Sequence, residues 1–318
     1  MKIIKRIALT VVVIVIVVIV GILAIFSYRN QNYYKLVKTD KPSEAQYTAL
    51  GPYKVSYQEF DSENEAFKKN EIWYPSEMKE SSSELPLVIM ANGTGITASK
   101  YKAVFKHLAS WGFIVVGNED ENSRTGASSS ASLNFMLSLN EDSTSDFYGK
   151  IDVDNIGIGG HSQGGVGAIN AVTKQDNGSY YKAMYTASTT SSFWGQENQL
   201  GTDWSYDVSK INIPYFMVAG TGSFDAGTAE DITATEGQGI TPLWSLYKNY
   251  TDIPDTVTKV MARRVNTDHG DMLTHADGYM TAWFMYWLKG DPQAGNVFYG
   301  NDAELLANEN WQDVMRSQ

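Results

Sequence analysis

The sequence contains no cysteine among its 318 residues. This excludes disulfide bonds, thiolate metal ligands and cysteine nucleophiles, but it assigns no cellular compartment, because a chain without cysteine is compatible with any redox environment. Positive charge is also scarce, with 25 lysines and arginines against 36 aspartates and glutamates. Such an acidic chain repels phosphate backbones and has no basic stripe with interleaved aromatic residues, so a nucleic-acid partner is not expected.

One long hydrophobic run lies at the N-terminus. Residues 7–26 carry no charge and follow Lys2, Lys5 and Arg6. A helix over this run would be about 30 Å long, which matches the hydrocarbon thickness of a bilayer and predicts an uncleaved transmembrane anchor. The preceding basic residues predict a cytoplasmic N-terminus at the cell membrane, with the rest of the chain extracellular. A cleaved signal peptide of a secreted protein and a buried core helix are the alternatives.

The remaining sequence alternates between strand and helix patterns. A polar linker is expected at 31–50, between the anchor at 1–30 and one domain at 51–318. Strands are predicted at 53–57, 71–74, 85–90, 113–116, 155–158, 183–187, 214–219 and 259–265, and helices at 99–110, 127–139, 164–172, 244–250 and 277–289. This alternation predicts an α/β three-layer sandwich with a mostly parallel sheet.

A nucleophilic serine is indicated by the pentapeptide GHSQG at residues 160–164, which fits the pattern G-x-S-x-G. A predicted buried strand leads into it and a helix rich in small residues leads out. This strand–turn–helix context exposes a serine hydroxyl at the carboxyl edge of a sheet, so Ser162 is the candidate nucleophile. The alternative is a glycine-rich packing turn.

A serine hydroxyl needs a base at neutral pH, and only four histidines are present. His269 follows the predicted strand 259–265, where the chain order Ser, Asp, His places the base, and His275 is the second candidate. His107 and His161 are more simply structural residues.

An orienting carboxylate is expected in the loop after the strand 214–219, where Asp225 is the candidate and Glu230 and Asp231 follow. The oxyanion is expected to receive backbone N–H groups from Gln163 and from Thr94, which follows the strand 85–90.

Several further segments complete a pattern of known kind. They are GPY at 51–53, IWYP at 72–75, LASWGFIVV at 108–116, GHSQGG at 160–165, and Asp268-His269 with Ala282-Trp283 downstream. With them, residues 51–290 resemble the bacterial cutinase and polyester-hydrolase group of the dienelactone-hydrolase-like α/β-hydrolases. The resemblance implies the α/β-hydrolase fold and the same roles for Ser162, His269, Asp225, Thr94 and Gln163.

Two positions depart from that family's pattern. It usually has an aromatic residue where Thr94 stands, and a tryptophan where Ser188 stands. Both changes remove a flat clamp for an aromatic or polyester unit, so the expected substrate is a small-molecule or lipid-like ester. Ser188 and Trp194 join Thr94 and Gln163 as candidates for the pocket wall. The acid loop before Asp225 is also slightly longer than the family's.

The predicted activity is that of a serine carboxylic-ester hydrolase, which forms an acyl-enzyme on extracellular esters without a metal or organic cofactor. An amide or peptide hydrolase on the same fold is one alternative, although no inserted lid segment is recognisable in the sequence. The other is a non-catalytic surface-binding protein that keeps the fold.

Overall fold

The computed structural model of the chain describes residues 2–35, 37–228, 232 and 239–317. Within these residues, the strands are β1 (Val55–Asp61), β2 (Lys69–Pro75), β3 (Leu85–Ala91), β4 (Ile114–Asn118), β5 (Ile151–His161), β6 (Tyr181–Ala187), β7 (Tyr215–Gly220), β8 (Lys259–Arg264) and β9 (Trp311–Arg316). The helices are α1 (Lys2–Gln31), α2 (Pro42–Thr48), α3 (Lys102–Ser110), α4 (Ala127–Glu141), α5 (Gln163–Lys174), α6 (Ser223–Ala226), α7 (Leu243–Asp252), α8 (Met272–His275), α9 (Asp277–Lys289) and α10 (Pro292–Gly295).

The strands form one sheet in the order β1-β2-β4-β3-β5-β6-β7-β8-β9. Strands β3 to β8 run parallel, while β2 pairs antiparallel with β4 and β9 pairs antiparallel with β8. Along β3, Val88 belongs to the apolar core on one face and Ile89 to the core on the other face. Burial on both faces explains the continuous apolar run of this strand. The arrangement confirms the predicted α/β-hydrolase sandwich.

Helices cover both faces of the sheet. Phe105 of α3 and Trp283 of α9 pack into one core, and Leu133 of α4 and Ile169 of α5 pack into the other. Helix α9 ends at the predicted place because Gly290 adopts a left-handed conformation, with φ 67°, after its last turn. Every strand and helix predicted between residues 51 and 290 is present, with its ends shifted by a few residues.

Part of the segment expected to be a polar linker, residues 31–50, differs from that expectation because it packs on the domain. Helix α2 lies against α9, and both Glu44 and Tyr47 are buried. The Tyr47 hydroxyl donates to Asp291 Oδ2 at 2.7 Å. A side chain at Gly278 would overlap the Thr48 hydroxyl, so the close approach of the two helices requires glycine there.

The polar residues of this segment find their partners in the interior. The buried Glu44 carboxylate forms an ion pair with Arg264 of β8. It also accepts from Trp311 Nε1 at 2.9 Å and from Asn308 Nδ2 at 2.8 Å. A buried carboxylate is tolerated because a cation and neutral donors surround it together. These partners lie more than 200 residues away in the sequence. The local composition of α2 therefore does not show them, and it is as polar as that of a solvated linker.

A second buried ion pair holds the same segment. His107 donates through Nδ1 to Asp277 Oδ2 at 2.7 Å and through Nε2 to the carbonyls of Thr48 and Ala49 at 2.9 and 2.8 Å. Burial alone would lower the pKa of His107, but Asp277 and the two carbonyls outweigh it and raise that pKa. The Tyr33 hydroxyl also donates to Asp277. Acceptors therefore face both ring nitrogens, and this arrangement favours the imidazolium form.

Helix α1 is long and apolar enough to cross a bilayer by length and composition. Its stretch Thr10–Arg29 has a mean hydropathy of 3.2, and none of this window is buried against the domain. An N-terminal signal sequence passes the same test, so both a signal-anchor and a signal peptide are compatible with this helix. The helix ends at Gln31, close to the buried Tyr33.

Replacing His107 by Gln is expected to lower the free energy of unfolding by about 3–5 kcal/mol near neutral pH, because Asp277 loses its buried cationic partner. Because the pKa of His107 is raised in the folded state, the ion pair stabilises the fold fully below the ordinary histidine pKa of 6.5. This stabilisation is lost as the pH rises through the folded-state pKa of His107. The wild type and the His107→Gln variant should therefore converge in stability at alkaline pH. Denaturant unfolding of the two proteins at several pH values measures this convergence. The control is His275→Gln, at a histidine that is partly exposed. A difference that does not change with pH would contradict the ion pair.

Candidate active site

The serine of the predicted elbow occupies a sharp turn between a strand and a helix. Strand β5 ends at His161 and α5 begins at Gln163, and Ser162 between them has φ 59° and ψ −121°. This conformation is strained for a residue other than glycine and persists where the surroundings enforce it. A Cβ at Gly160 would overlap the carbonyl of Gly164, so the pentapeptide needs glycine at that end. The turn places Ser162 at the carboxyl edge of the sheet.

Ser162 lines a cavity of about 660 Å³ together with His161 and His269. Most of the remaining wall is apolar, and its larger side chains are Ile96, Val104, Leu200, Trp204, Phe224 and Leu273. A concave apolar site with a few polar groups at one place is the usual form of a small-molecule site.

His269 and Asp225 meet at the wall of this cavity. His269 Nδ1 lies 2.7 Å from Asp225 Oδ1, and the Asp225 side chain is fully buried. The second carboxylate oxygen accepts the Ser188 hydroxyl at 2.5 Å and the Gly220 N–H at 2.7 Å. Because Nδ1 donates to the carboxylate, the neutral ring keeps Nε2 as an acceptor. The loops after β7 and β8 thus bring together two residues that are 44 positions apart.

Asp268 connects the two loops. Its carboxylate accepts the N–H groups of His269 and Asp225 at 2.9 Å each and that of Phe224 at 3.1 Å. Burial raises the pKa of Asp268, but these N–H bonds outweigh burial and lower it below the ordinary value. The ionised carboxylate therefore holds the backbones of His269 and Asp225 in register. Sequence reasoning assigned Asp268 no role, since an acid beside the base has no periodicity to mark it.

His161 contacts His269 from the elbow itself. Its Nε2 lies 2.8 Å from the His269 carbonyl oxygen, and the two ring centroids are 4.7 Å apart. Burial, and then repulsion by His269, lower the pKa of His161 to about 4. The neutral ring therefore donates Nε2–H to the carbonyl. The sequence expectation was a structural residue, and this contact to the backbone of His269 could not be read from the motif.

Three of the four pocket-wall candidates, Gln163, Ser188 and Trp194, are not among the described residues that line the cavity, whereas Thr94 is. Ser188 has φ 52° and is fully buried, so its hydroxyl reaches Asp225 instead of the cavity. Trp194 is partly buried and donates through Nε1 to the carbonyl of Gly239 at 3.1 Å. The described residues that line the cavity include Leu200 and Trp204, which were not among the candidates.

The two residues expected to supply backbone N–H groups are Gln163 and Thr94. Gln163 is the first residue of α5, whose first-turn N–H groups have no acceptor within the helix. Thr94 is exposed and lies in a turn of the loop after β3, where it lines the cavity. Gln163 is therefore next to the serine on the elbow, and Thr94 belongs to the cavity that Ser162 also lines.

The alternative base, His275, stands apart from this pair. His275 lies on α8, where its Nδ1 is 3.1 Å from the carbonyl oxygen of Asp271. Asp225 is bonded to His269 instead. Glu230 and Asp231, which follow Asp225 in the loop, lie outside the described residues.

Comparison with protein families gives a match. The family model described as PETase, PET hydrolase-like, matches residues 30–290. A search of curated proteins finds no match. The family match confirms the resemblance predicted from the elbow and its neighbouring segments. It also begins ahead of residue 51, so it includes the segment that packs on the domain through α2.

Replacing His269 by Gln is expected to raise the pKa of His161 from about 4, because the repulsion between the two rings is removed. Burial remains, so the pKa of His161 should stay below its ordinary value of 6.5. In the wild type, the lowered pKa of His161 contributes stability above about pH 6.5 that is lost as the pH falls towards 4. NMR titration of the four histidine rings measures these values, with His275→Gln used for assignment. An unshifted His161 in the His269→Gln protein would refute the coupling.

Proposed function

Because the chain belongs to the PET hydrolase-like family, we propose that it is a serine carboxylic-ester hydrolase with Ser162 as nucleophile, His269 as general base and Asp225 as orienting acid. Membership of the family supports the ester-hydrolase activity. The observation that carries the residue roles is the 2.7 Å contact between His269 Nδ1 and Asp225 Oδ1, at a cavity that Ser162 also lines.

The first half-reaction transfers the acyl group to the enzyme. Ser162 Oγ attacks the ester carbonyl while His269 Nε2 takes the hydroxyl proton. The N–H groups of Gln163 and Thr94 stabilise the negative carbonyl oxygen. The bond to the leaving alkoxide then breaks, and the alkoxide departs as an alcohol with the proton from His269.

The second half-reaction releases the acid. His269 takes a proton from water, whose oxygen attacks the acyl carbon, and the same two N–H groups stabilise the second tetrahedral intermediate. When the intermediate collapses, Ser162 recovers its proton from His269 and a carboxylic acid leaves. One ester and one water give one alcohol and one acid, so these steps balance without a further reactant.

The hydrogen bonds around Asp225 support the roles proposed for Asp225 and His269. A buried carboxylate beside Nδ1 fixes the ring tautomer and stabilises the imidazolium that forms during each step. The Ser188 hydroxyl and the Gly220 N–H donate to its other oxygen, and these hydrogen bonds hold the carboxylate against rotation away from His269. Asp268 limits movement between the two loops that carry the pair.

The cavity favours an apolar acyl group. Its wall is mainly aliphatic and aromatic, and the flat clamp expected for an aromatic or polyester unit is missing at Thr94 and Ser188. The proposed substrate is therefore a small-molecule or lipid-like ester. Paired ester and amide substrates with the same acyl group separate this activity from amide hydrolysis on the same fold.

The location proposed for the enzyme is the outer face of the cell membrane. Residues 1–30 act as an uncleaved anchor with the N-terminus inside, residues 31–50 join the anchor to the domain and pack on it through α2, and residues 51–318 form the catalytic domain. Lys2, Lys5 and Arg6 support this orientation. The intact mass of protein recovered from the membrane fraction distinguishes the anchor from a cleaved signal, since cleavage removes the first 25 to 30 residues or so.

Ser162→Ala is expected to reduce kcat/KM for p-nitrophenyl butyrate by at least about 10,000-fold and to abolish labelling by a fluorophosphonate probe. His269→Gln and Asp225→Asn should each cost about 1,000-fold or more, because the serine loses its base or the base loses its tautomer. His275→Gln and Asp271→Asn are matched controls expected to keep the wild-type rate. An undiminished rate in Ser162→Ala would refute the proposed nucleophile.

Ser188→Ala is expected to lower kcat about tenfold with little change in KM, because Asp225 loses a hydrogen bond that holds it against His269. Steady-state kinetics on the same ester measure both constants. Ser191→Ala is the control, since the Ser191 hydroxyl is also buried and has no hydrogen-bond partner among the described residues. Equal effects of the two variants would mean that the Ser188 hydroxyl does not position Asp225.

A further inference from the structure

We infer that the ester cleaved at this site is a long-chain acyl ester of a lipid in the same membrane that holds α1, taken up while the domain rests on the bilayer surface. This inference rests on the proposed function and narrows its substrate class. It is carried by the length of the connection, by the place where the anchor meets the domain, by the apolar rim of the cavity and by local charge.

The connection between the anchor and the domain is very short. The apolar stretch ends at Arg29, α1 continues to Gln31, and Tyr33 is already buried with its hydroxyl bonded to Asp277. Even if the intervening residues were fully extended, they would reach only about 10–15 Å. The domain therefore stays at the membrane surface and cannot reach substrates far from it.

The anchor meets the domain beside the cavity. Helix α1 contacts α3, and the 3-10 helix Tyr33–Lys35 contacts α8. These two helices also form part of the cavity wall, through Val104 of α3 and Leu273 of α8. The side of the domain that is tied to the membrane is thus the side that contains the site.

The cavity has an apolar rim that is exposed to solvent. Leu200 and Phe224 line the cavity, yet 49% and 59% of their surfaces are exposed. Exposed large apolar side chains at a concave site indicate an apolar partner. Acyl chains of a bilayer provide that partner and can pass from the membrane into the cavity of about 660 Å³ without crossing water.

The segments at this side carry positive charge in an otherwise acidic chain. Residues 27–41 and 98–113 contain one acid, Asp40, and have a combined net charge of +6, whereas the whole chain has −11. The basic residues are Arg29, Lys35, Lys38, Lys41, Lys100, Lys102 and Lys106. Lysine and arginine near a bilayer attract anionic headgroups. The charge therefore favours the orientation that the short connection imposes.

The reaction needs no reactant beyond water. Attack at the acyl carbonyl transfers the fatty acyl group to Ser162 and releases the headgroup side of the lipid as an alcohol. Water then releases the fatty acid, as in the steps above. Both products are amphiphilic and return to the membrane.

The test compares two esters with the same leaving group in the full-length protein, reconstituted in vesicles of phosphatidylcholine and phosphatidylglycerol. p-Nitrophenyl palmitate partitions into the bilayer, and p-nitrophenyl acetate stays in water. A proline-rich spacer of about 20 residues between Gln31 and Asn32 would lift the domain by up to roughly 60 Å. The palmitate rate should fall about tenfold or more relative to the acetate rate. The same spacer added at the N-terminal end of the chain should change neither rate.

A pair of charge reversals tests the orientation independently. Lys102→Glu with Lys106→Glu should lower the palmitate rate about fivefold or more and leave the acetate rate unchanged. The effect should disappear in pure phosphatidylcholine vesicles. Lys182→Glu with Lys210→Glu makes the same charge change near the amino ends of β6 and β7, away from the site, and should have no such effect.

The outcomes separate this inference from the proposed function. If acetate is hydrolysed through Ser162 and neither the spacer nor the charge reversal at α3 changes the ratio of the two rates, the membrane substrate is refuted and the esterase stands. If Ser162→Ala still hydrolyses acetate at the wild-type rate, the proposed function itself fails. A charge-reversal protein that loses acetate activity has lost its fold, and the spacer variant then decides.

Discussion

The hydrogen bond between His269 and the buried Asp225 is the interaction on which the site depends. A carboxylate without water needs hydrogen-bond donors at both oxygens, and here a ring nitrogen, a hydroxyl and a backbone N–H supply them. This requirement constrains the loops after β7 and β8 together. Asp268 meets the constraint by accepting N–H groups from both loops, so the position of the base follows from that of the acid.

The elbow supplies the other half of the site under a different constraint. Ser162 is held in a strained conformation, and glycines on either side make room for the backbone. His161 ties this turn to the base through the carbonyl of His269. The turn that holds Ser162 and the loop that holds His269 are thus linked by this hydrogen bond as well as by the cavity that both residues line.

Much of the fold was predictable because the burial of a strand or of a helix face produces a hydrophobic pattern in the local sequence. The apolar run of β3 and the apolar face of α9 indicate their elements directly, and the spacing of Ser162, Asp225 and His269 along alternating strands indicated which loops would meet. Strand β9 was missed because it is a half-exposed edge strand with mixed residues. The hydrogen bonds of Ser188 and Asp268 were not predicted, because hydrogen bonds between distant loops have no periodicity in the sequence.

The docking of α2 has a consequence for release of the domain from the membrane. Glu44 is the buried acceptor for both Arg264 and Trp311, and Tyr33 bonds to Asp277 beside His107. A protease that cuts after Ala49 would leave a cation, an indole and an imidazolium facing an empty groove. On the proposed topology, release of an intact domain therefore requires cleavage in the few residues ahead of Tyr33, next to the lipid headgroups.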